Sequence, residues 1–386
     1  MRAFAICLHA RGTGLNLIAA SVLLGCAEEA PEQPIDEYEY EDALAPTEPL
    51  ASARSAHAAA ALADGRVLLV GGLRGAPSQL DFDAFVAEVE LFDPETERFE
   101  QGAALTTVRS HASATRVADG RVVVLGGTTL DANTLTIPAL PIEVWDPASE
   151  SFSGAGELPS GGVLFHCAVP LGNDVLVIDE CSPGDCAPLR VSPDDGPTAL
   201  GGTPTLEYGL DVDCAPLSDG RVLLAGGLDL MGAPVSYVEI YDPASQSFEM
   251  VGPMSAAYGY QTKLLALDNG DVLLLGGAVE GPLGQIYSPS TGEFTEVDGD
   301  VPDRAEHTLT LLDDGRVLVA GGVRSDDFQL APGLVLFDPI TGGFAELSPS
   351  FAPRKAHTAV RLDSGPVLIA GGQDAVDNLA DAHLFR

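Results

Sequence analysis

Short apolar runs that end in glycine pairs dominate the hydrophobic pattern of this chain. Each run has about five residues of Val, Leu, Ile or Ala, a length typical of buried strands rather than helices. The glycine pairs are Gly71-Gly72, Gly126-Gly127, Gly226-Gly227, Gly276-Gly277, Gly321-Gly322 and Gly371-Gly372. Successive pairs lie about fifty residues apart, except that 100 residues separate Gly127 from Gly227. That interval contains one more apolar run, at 174–178, without glycines after it, so the pattern predicts seven repeated units.

A turn signal precedes each of these runs. In the sixth unit, an apolar stretch reaches Asp314-Gly315 and a second apolar stretch follows at once. Asp-Gly between two apolar runs indicates a β-hairpin, and we expect a type I′ turn, which needs positive φ at both central residues. The signal recurs as Asp64-Gly65, Asp119-Gly120, Asp219-Gly220, Asn269-Gly270, Ser364-Gly365 and, in the third unit, Gly172-Asn173. Each unit is therefore predicted to begin with two antiparallel strands.

A third and a fourth strand follow a segment of variable length. In five units the third strand ends in an aromatic residue followed by Asp-Pro or Ser-Pro, which starts a turn. The aromatic residues are Phe92, Trp145, Tyr241, Tyr287 and Phe337, and the phenylalanines seven residues later are Phe99, Phe152, Phe248, Phe294 and Phe344. Since that phenylalanine begins an outer strand, each unit is predicted to be a four-stranded antiparallel sheet.

The glycine pairs and the aromatic residues seven apart resemble the repeat of kelch proteins, over roughly residues 50–386. The resemblance implies an all-β fold, a seven-bladed kelch-type β-propeller of four-stranded antiparallel blades around a channel. The last unit ends in its third strand, at 384–386, and we expect residues near 40–46 to supply its outer strand. This N-terminal strand completes the last blade and closes the ring. We assign residues 40–386 to the propeller.

The first 25 residues have the pattern of a signal peptide. They carry two arginines, no acidic residue and an apolar run at 15–24 that is too short to span a bilayer. The run ends in Leu-Leu-Gly-Cys at 23–26, which resembles the lipobox of bacterial lipoproteins. That resemblance implies removal of residues 1–25 and lipidation of Cys26, and an ordinary secretory signal is the alternative. We expect residues 26–39 to be an acidic, proline-rich tether.

This N-terminus predicts a location at the bacterial cell envelope, on the periplasmic or the cell-surface side. Acyl chains on Cys26 would anchor the protein without spanning the membrane, so the lipid is the expected membrane contact.

Composition narrows the partners of the chain. It has 19 Lys+Arg against 57 Asp+Glu and a net charge of −38, which repels phosphate and excludes nucleic acid as a partner. A hydrophobic content of 46% is too high for a disordered acidic protein, and 43 Gly with 28 Pro argue against a helical bundle. Protein or glycan ligands and cations remain. We expect a monomer without a cofactor.

Loop lengths distinguish the two faces of the predicted ring. In every unit that keeps both glycines, six residues separate the turn glycine from the first glycine of the pair. By contrast, the second glycine and the third-strand aromatic residue are 20 residues apart in one unit (Gly72 to Phe92) and 10 in another (Gly277 to Tyr287). Diverse loops on a rigid scaffold are the usual arrangement of a binding site. We therefore favour the face formed by the second connections and the links between blades, here named the variable face.

Acidic residues of the variable face are candidate ligand residues: Asp81, Asp83, Asp131, Asp229, Asp326, Asp327 and Asp374. The link before the sixth unit holds a weak calcium candidate, Asp298, Asp300 and Asp303, because calcium takes oxygen ligands in flexible loops. Solvated surface carboxylates are the alternative for both sets. The chain has no complete calcium-loop motif, nucleophile elbow or phosphate loop. We assign no other metal and no catalytic residue.

Histidines recur at the starts of the first strands: His57, His111, His166, His307 and His357. A residue that recurs at one position in most blades serves the blade itself. We interpret these histidines as structural, with hydrogen bonds to a neighbouring backbone, because metal ligands must converge to about 2 Å from one ion.

Four cysteines lie in the third and fourth units: Cys167, Cys181, Cys186 and Cys214. An even number in an exported chain suggests disulfides, with three possible pairings. Cys181 and Cys186 flank a turn, and Cys167 and Cys214 occupy corresponding positions in neighbouring units. We favour the pairs Cys181–Cys186 and Cys167–Cys214, and a zinc site is the alternative.

Three functions remain for this sequence. The leading hypothesis is a non-catalytic, envelope-anchored binding or scaffold module that uses the variable face. Some kelch propellers handle sugars, so the resemblance also implies a sugar-handling enzyme, an isomerase or an oxidase-like protein. The third hypothesis is a structural envelope protein without a small ligand. The fold by itself does not choose among them.

Overall fold

The computed structural model describes residues 43–75, 84–130, 138–159, 166–179, 187–205, 211–229, 231–259, 261–278, 281–297, 303–347 and 351–386. These residues belong to one compact unit, Ile35–Arg386. Their named elements are β-strands, and the strands form seven four-stranded antiparallel sheets. The prediction of an all-β fold made of such blades is confirmed.

The strands follow the predicted order in each blade. First strands are β2 (Ala58–Ala61), β6 (Ser113–Arg116), β10 (His166–Leu171), β14 (Asp213–Pro216), β18 (Lys263–Ala266), β22 (Thr308–Leu311) and β26 (Thr358–Arg361). Second strands are β3 (Val67–Val70), β7 (Val122–Leu125), β11 (Asp174–Asp179), β15 (Val222–Ala225), β19 (Val272–Leu275), β23 (Val317–Ala320) and β27 (Val367–Ala370). Third strands are β4 (Val89–Asp93), β8 (Pro141–Asp146), β12 (Leu189–Ser192), β16 (Val235–Asp242), β20 (Gly284–Ser288), β24 (Leu334–Phe337) and β28 (Ala382–Phe385). Fourth strands are β5 (Arg98–Gln101), β9 (Ser151–Glu157), β13 (Gly196–Ala199), β17 (Ser247–Tyr258), β21 (Glu293–Glu296), β25 (Phe344–Glu346) and β1 (Leu44–Pro46).

The seven blades close into a ring. Each first strand contacts the first strands of both neighbouring blades, from β2 through β26 and back to β2. The first strands therefore surround the centre, and the fourth strands lie at the rim. This arrangement is a seven-bladed β-propeller, as predicted.

An N-terminal strand completes the seventh blade. β1 pairs antiparallel with β28, with Leu44 opposite Phe385, and the sheet order is β1-β28-β27-β26. Immediately after β1, Thr47 N donates a hydrogen bond to Ala382 O at 3.0 Å. The first and last parts of the propeller sequence thus share one sheet, which confirms the predicted closure.

Aromatic pairs and buried second strands build the core between blades. All four residues of β3, β7, β15, β19, β23 and β27 are buried. The predicted aromatic pairs face each other across the third and fourth strands, with ring centroids 4.7–5.0 Å apart. Trp145 of the second blade packs in one cluster with Leu68 of the first. The core is therefore a set of layers between neighbouring blades.

The hairpins at Asp-Gly do not have the predicted type I′ turn. In the first blade Gly65 has a φ of 92°, and Asp64 has no positive φ. Gly65 N donates to Leu62 O at 3.1 Å, and Leu62 N donates to Arg66 O at 2.7 Å, which is a type I turn followed by a left-handed glycine. The Asp64 carboxylate accepts hydrogen bonds from Arg66 instead. The hairpin prediction was right and the turn type was wrong, because this turn needs positive φ only at glycine.

Buried arginines fasten the links between blades to the third strands. Arg109 is 0% exposed, and its Nη2 lies 2.9 Å from Oε1 of Glu143, which is 1% exposed. The other carboxylate oxygen of Glu143 accepts a hydrogen bond from Thr106 N at 2.7 Å. Three further arginines, Arg54, Arg304 and Arg354, share with Arg109 a hydrogen bond to the glycine carbonyl 17 residues later in the chain. Each of these arginines therefore fixes the link that enters its blade to the end of the second strand of the same blade.

A disulfide joins the first strands of the third and fourth blades. Cys167 and Cys214 are bonded, with their Cα atoms 5.7 Å apart, as predicted. Their positions do not correspond fully: Cys167 faces Ile178, at the end of its apolar run, whereas Cys214 faces Leu224, one residue before the end. The other cysteines of the predictions, Cys26, Cys181 and Cys186, lie outside the described residues.

Candidate functional site

A cavity of about 350 Å³ lies where the first strands begin, at the centre of the ring. Because adjacent strands are antiparallel, this end of each first strand adjoins the connection between the second and third strands. The cavity therefore opens on the variable face, and we call it the channel mouth. It is lined by residues that precede or begin first strands in blades one to seven, among them His111, Asp211, Lys263 and Glu306.

One left-handed residue precedes the first strand by two positions in most blades. These residues are Ala56, His111, Asp211, Gln261, Glu306 and Ala356, with φ between 51° and 61°. Backbone hydrogen bonds connect them across blades: Ala56 N donates to Ala356 O, and His111 N donates to Ala56 O, both at 2.8 Å. The backbone thus holds a ring of side-chain positions around the channel mouth.

The fourth and fifth blades place an acid, an amide and a lysine together at the mouth. Gln261 Nε2 donates to Asp211 Oδ1 at 2.9 Å. Burial raises the pKa of Asp211 to about 6, although the charge of Lys263 and the hydrogen bond from Gln261 oppose this rise. A carboxyl group with this pKa exchanges its proton close to neutral pH.

The sixth and seventh blades add an ion pair. Lys355 Nζ lies 3.0 Å from Glu306 Oε1, and both side chains are more than half buried. Burial lowers the pKa of His111, against the attraction of the Glu306 charge. Lys263 and Lys355 are the two lysines of the chain, and both lie at this end of the channel. The polar side of the mouth extends over four consecutive blades, whereas Ala56 and Ala356 present only methyl groups.

Most recurring histidines bond to the neighbouring blade, but through a side chain and not through the expected backbone. His57 Nε2 lies 2.8 Å from Thr358 Oγ1, and His166 Nε2 lies 2.8 Å from Ser113 Oγ. His357 makes the same contact with Thr308 at 3.1 Å. Burial lowers the pKa of His57, His307 and His357 to about 3, so these rings are neutral at physiological pH. The position and partners of His57, His166 and His357 agree with a structural role in blade-to-blade contact.

The acidic residues predicted as ligand residues lie elsewhere, and none of those described lines the channel mouth. Asp229 accepts hydrogen bonds from Met231 N and Ala233 N, and Asp374 accepts from Val376 N and Asp377 N. Asp326 pairs with Arg324 at 2.7 Å, Asp327 accepts from Gln329 N at 3.0 Å, and Asp303 accepts from Ser325 N at 3.0 Å. Asp229, Asp326, Asp327 and Asp374 thus bond within the loops that carry them, and Asp303 connects the link before the sixth blade to the second connection of that blade. The remaining candidates, Asp81, Asp83, Asp131, Asp298 and Asp300, lie outside the described residues.

Sequence reasoning missed the residues that meet at the channel mouth. Asp211, Gln261 and Glu306 belong to no motif, because they lie in links whose sequence differs from blade to blade. One signal was available: the chain has only two lysines, Lys263 and Lys355, and both lie at the start of a unit. A rare residue type at a repeated boundary indicates a role beyond the repeat.

Two findings concern the described ranges alone. In those ranges, no group of three or more His, Cys, Asp or Glu side chains could hold a metal ion. In the same part of the chain, no helix has the length and apolar character needed to cross a membrane.

Comparisons with known proteins agree on the architecture. Residues 214–255, in the fourth blade, match the model of the Kelch motif. No curated protein matches the chain. Among solved structures, a fungal alcohol oxidase of the AA5 family in complex with copper is similar, with a TM-score of 0.66 and 17% identity, over 89% of this chain and 76% of that chain. At this identity the similarity shows the fold alone.

Proposed function

We propose that this protein is a non-catalytic binding module whose ligand occupies the channel mouth on the variable face. The observation that carries the proposal is the cluster of Asp211, Gln261, Lys263 and Glu306 around one cavity. Lys355 pairs with Glu306 beside it. In a repeat protein, residues that serve the fold recur in several blades, as the buried arginines and histidines do here. The residues of the cluster do not recur, and alanine stands at the corresponding left-handed position in two blades.

The electrostatics of the cluster support a role in binding. Burial of a carboxylate is unfavourable unless the charge is compensated, and Asp211 is only 7% exposed. A fold without a ligand would gain stability from an amide or an apolar side chain there. Retaining charged groups around a concave opening is typical of sites that orient a polar ligand.

The cellular setting of the proposal follows from the N-terminal sequence. We infer lipid attachment at Cys26 and a position at the bacterial envelope, with residues 26–39 as the tether. Metabolic labelling with a radioactive fatty acid tests this inference: the wild type incorporates the label and Cys26→Ser does not. Equal labelling of both proteins would overturn the lipid attachment without affecting the binding site.

The binding proposal is tested by calorimetry against neutral saccharides, charged saccharides and a basic peptide. We expect at least one of these ligands to bind, and Asp211→Asn and Lys263→Met each to weaken that binding about tenfold or more. Arg221→Met is the matched control, because Arg221 pairs with Asp219 at a hairpin on the opposite face. If all three variants bind the ligand as the wild type does, the binding site lies outside the channel mouth. No binding at all would favour a structural envelope protein.

A sugar-handling enzyme is the second candidate, and the pKa of Asp211 near 6 favours it. A general acid or base works best with a pKa close to the working pH. The test is incubation with aldoses and alcohols, followed by NMR for isomers and by a peroxide assay for oxidation. If the protein turns over a substrate and Asp211→Asn abolishes that turnover, the protein is an enzyme and not a binding module. If saccharides bind without turnover, an enzymatic function is excluded for those substrates.

A further inference from the structure

Histidine and hydroxyl side chains form pairs across the blade boundaries around the channel. The histidine stands at or directly before the start of a first strand, and its partner is the first residue of the first strand in the preceding blade. The pairs are His57 with Thr358, His166 with Ser113 and His357 with Thr308. The boundary between the first and second blades has neither member, with Ala112 in place of the histidine and Ala58 in place of the hydroxyl. Histidine and hydroxyl are therefore kept or lost together at these boundaries.

His307 breaks this rule. At the boundary between the fifth and sixth blades, the residue in the hydroxyl position is Lys263, which faces Leu275 as Thr308 faces Ala320. His307 is 2% exposed and lines the channel mouth. Neither of its ring nitrogens has a hydrogen-bond partner among the described residues.

The His307 ring nevertheless has the same placement as its counterparts. Its Cε1 atom would lie 2.8 Å from a Cβ added to Gly276, and Cε1 of His57 would lie 2.9 Å from one added to Gly371. Each ring thus fills the space that a glycine of the preceding blade leaves open. Because the ring position is the same, the nitrogen that bonds a hydroxyl in the other blades is buried at His307 without that partner.

A buried histidine without partners is unfavourable, because both nitrogens lose the hydrogen bonds they make to water. Lys263 does not replace the missing hydroxyl in the structure. Its ammonium interacts electrostatically with Asp211, and its charge further lowers the pKa of His307. The position opposite His307 therefore lacks a group that the other three histidines have.

We propose that a hydroxyl group of the ligand supplies the missing partner of His307, and that the ligand is an uncharged polyhydroxy compound. This inference rests on the proposed binding function. A hydroxyl both donates and accepts, so it suits a neutral imidazole. The groups around the same cavity match further hydroxyls: Lys263 and Gln261 donate, and Asp211 and Glu306 accept. The strong negative charge of the chain also disfavours an anionic ligand.

The first test uses Lys263→Thr, which restores the hydroxyl found at the other boundaries. We expect this variant to raise the melting temperature of the free protein, because the introduced hydroxyl would bond His307. It should weaken ligand binding about tenfold or more, because the ligand loses both that bonding position and the Lys263 ammonium. Thr358→Ala is the matched control: it removes the partner of His57, should lower the melting temperature and should leave affinity unchanged. The probes are glucose, galactose, mannose and xylitol, with glucuronate and glucosamine as charged counterparts.

A second variant pair separates a hydroxyl-binding histidine from a merely structural one. His307→Phe keeps a ring against Gly276 and removes two unpartnered nitrogens, so the free protein should keep or gain stability while losing about tenfold in affinity. His357→Phe removes a nitrogen that bonds Thr308 and should lower stability. Equal destabilisation by both changes would show that His307 has a partner inside the protein, such as Lys263, and would overturn the inference.

The outcomes distinguish this inference from the proposed function. A neutral probe that binds the wild type, Lys263→Thr and His307→Phe equally would overturn the role of His307 and leave the binding module intact. Binding of only the charged probes would overturn the ligand class. If no saccharide, polyol or basic peptide binds, and Asp211→Asn changes nothing beyond stability, the proposed function itself fails.

Discussion

Gly71 and Gly65 flank the same strand, β3, and offer a controlled test of how neighbouring blades fit together. Both glycines have positive φ, 65° and 92°. A Cβ added to Gly71 would lie 2.5 Å from the carbonyl oxygen of Arg109 in the next blade, whereas a Cβ added to Gly65 would have no heavy atom within 4 Å. Alanine is strained at both positions, and the φ of Gly65 lies further from the left-handed region open to L-residues. Alanine at Gly71 also collides with the adjacent blade.

The magnitudes of the two effects follow from this geometry. A left-handed L-residue costs about 1–2 kcal/mol, so Gly65→Ala should lower the free energy of unfolding by about that amount. At Gly71 the Arg109 carbonyl would have to move at least 0.5 Å to reach even 3.0 Å from the new atom. That oxygen belongs to a link fixed by the buried Arg109–Glu143 pair. Overpacking of this kind costs about 1–3 kcal/mol, which brings Gly71→Ala to about 2–5 kcal/mol.

Urea unfolding monitored by tryptophan fluorescence is the suitable assay. Trp145 is the single tryptophan of the chain, is 0% exposed, and packs in one cluster with Leu68 of β3. Its emission therefore reports on the boundary between the first and second blades, where the collision would occur. Equal losses of stability for Gly71→Ala and Gly65→Ala would refute the close-approach argument and leave backbone strain as the whole reason for the glycine.

Three further predictions concern stability. Reduction of the Cys167–Cys214 disulfide, which joins residues 47 apart in sequence, should lower the free energy of unfolding by about 4 kcal/mol in urea titrations, and a loss below about 1 kcal/mol would argue that the third and fourth blades remain docked on unfolding. A chain that begins at residue 48 lacks β1 and should melt roughly 5 °C or more below the full chain by circular dichroism, since β28 becomes an open edge, and an unchanged melting curve would contradict that role of β1. Asp211 has a pKa of about 6 in the folded protein and 3.8 as its ordinary value, so its ionisation opposes folding above pH 6 and has no effect below about pH 4. Asp211→Asn should therefore raise stability by about 1–3 kcal/mol at pH 7.5 with no gain at pH 4, and an equal gain at both pH values would exclude titration as the cause.

The blades could be predicted from sequence because each depends on short-range signals that recur. Glycine pairs, Asp-Gly turns and aromatic residues seven apart each specify one step of a four-stranded sheet, and the missing outer strand of the last unit predicted β1. The turn type was missed, because the Asp64 carboxylate bonds to Arg66 rather than supporting a left-handed aspartate. The local sequence thus predicts that a hairpin forms, but it does not predict the backbone angles of its turn.

The channel mouth could not be predicted in the same way. Its residues are far apart in sequence and meet only because seven blades close into a ring. A left-handed backbone conformation orients the side chains of Asp211, Gln261 and Glu306, and no sequence motif marks that conformation. The histidines show what recurrence in the sequence can and cannot predict. It correctly suggested a structural role for His57, which bonds Thr358. It gave no indication that His307, at the corresponding position, lacks such a partner among the residues that the structure describes.

The left-handed residues before the first strands also bear on how such a protein diversifies. Backbone hydrogen bonds such as Ala56 N to Ala356 O hold these positions without help from their side chains. The same conformation accepts alanine, histidine, aspartate, glutamine and glutamate in different blades. Exchanges among these residues would leave every sheet intact, so new specificities are accessible through single codon changes. The side chains at these positions can therefore vary independently of one another, while the backbone that carries them stays the same.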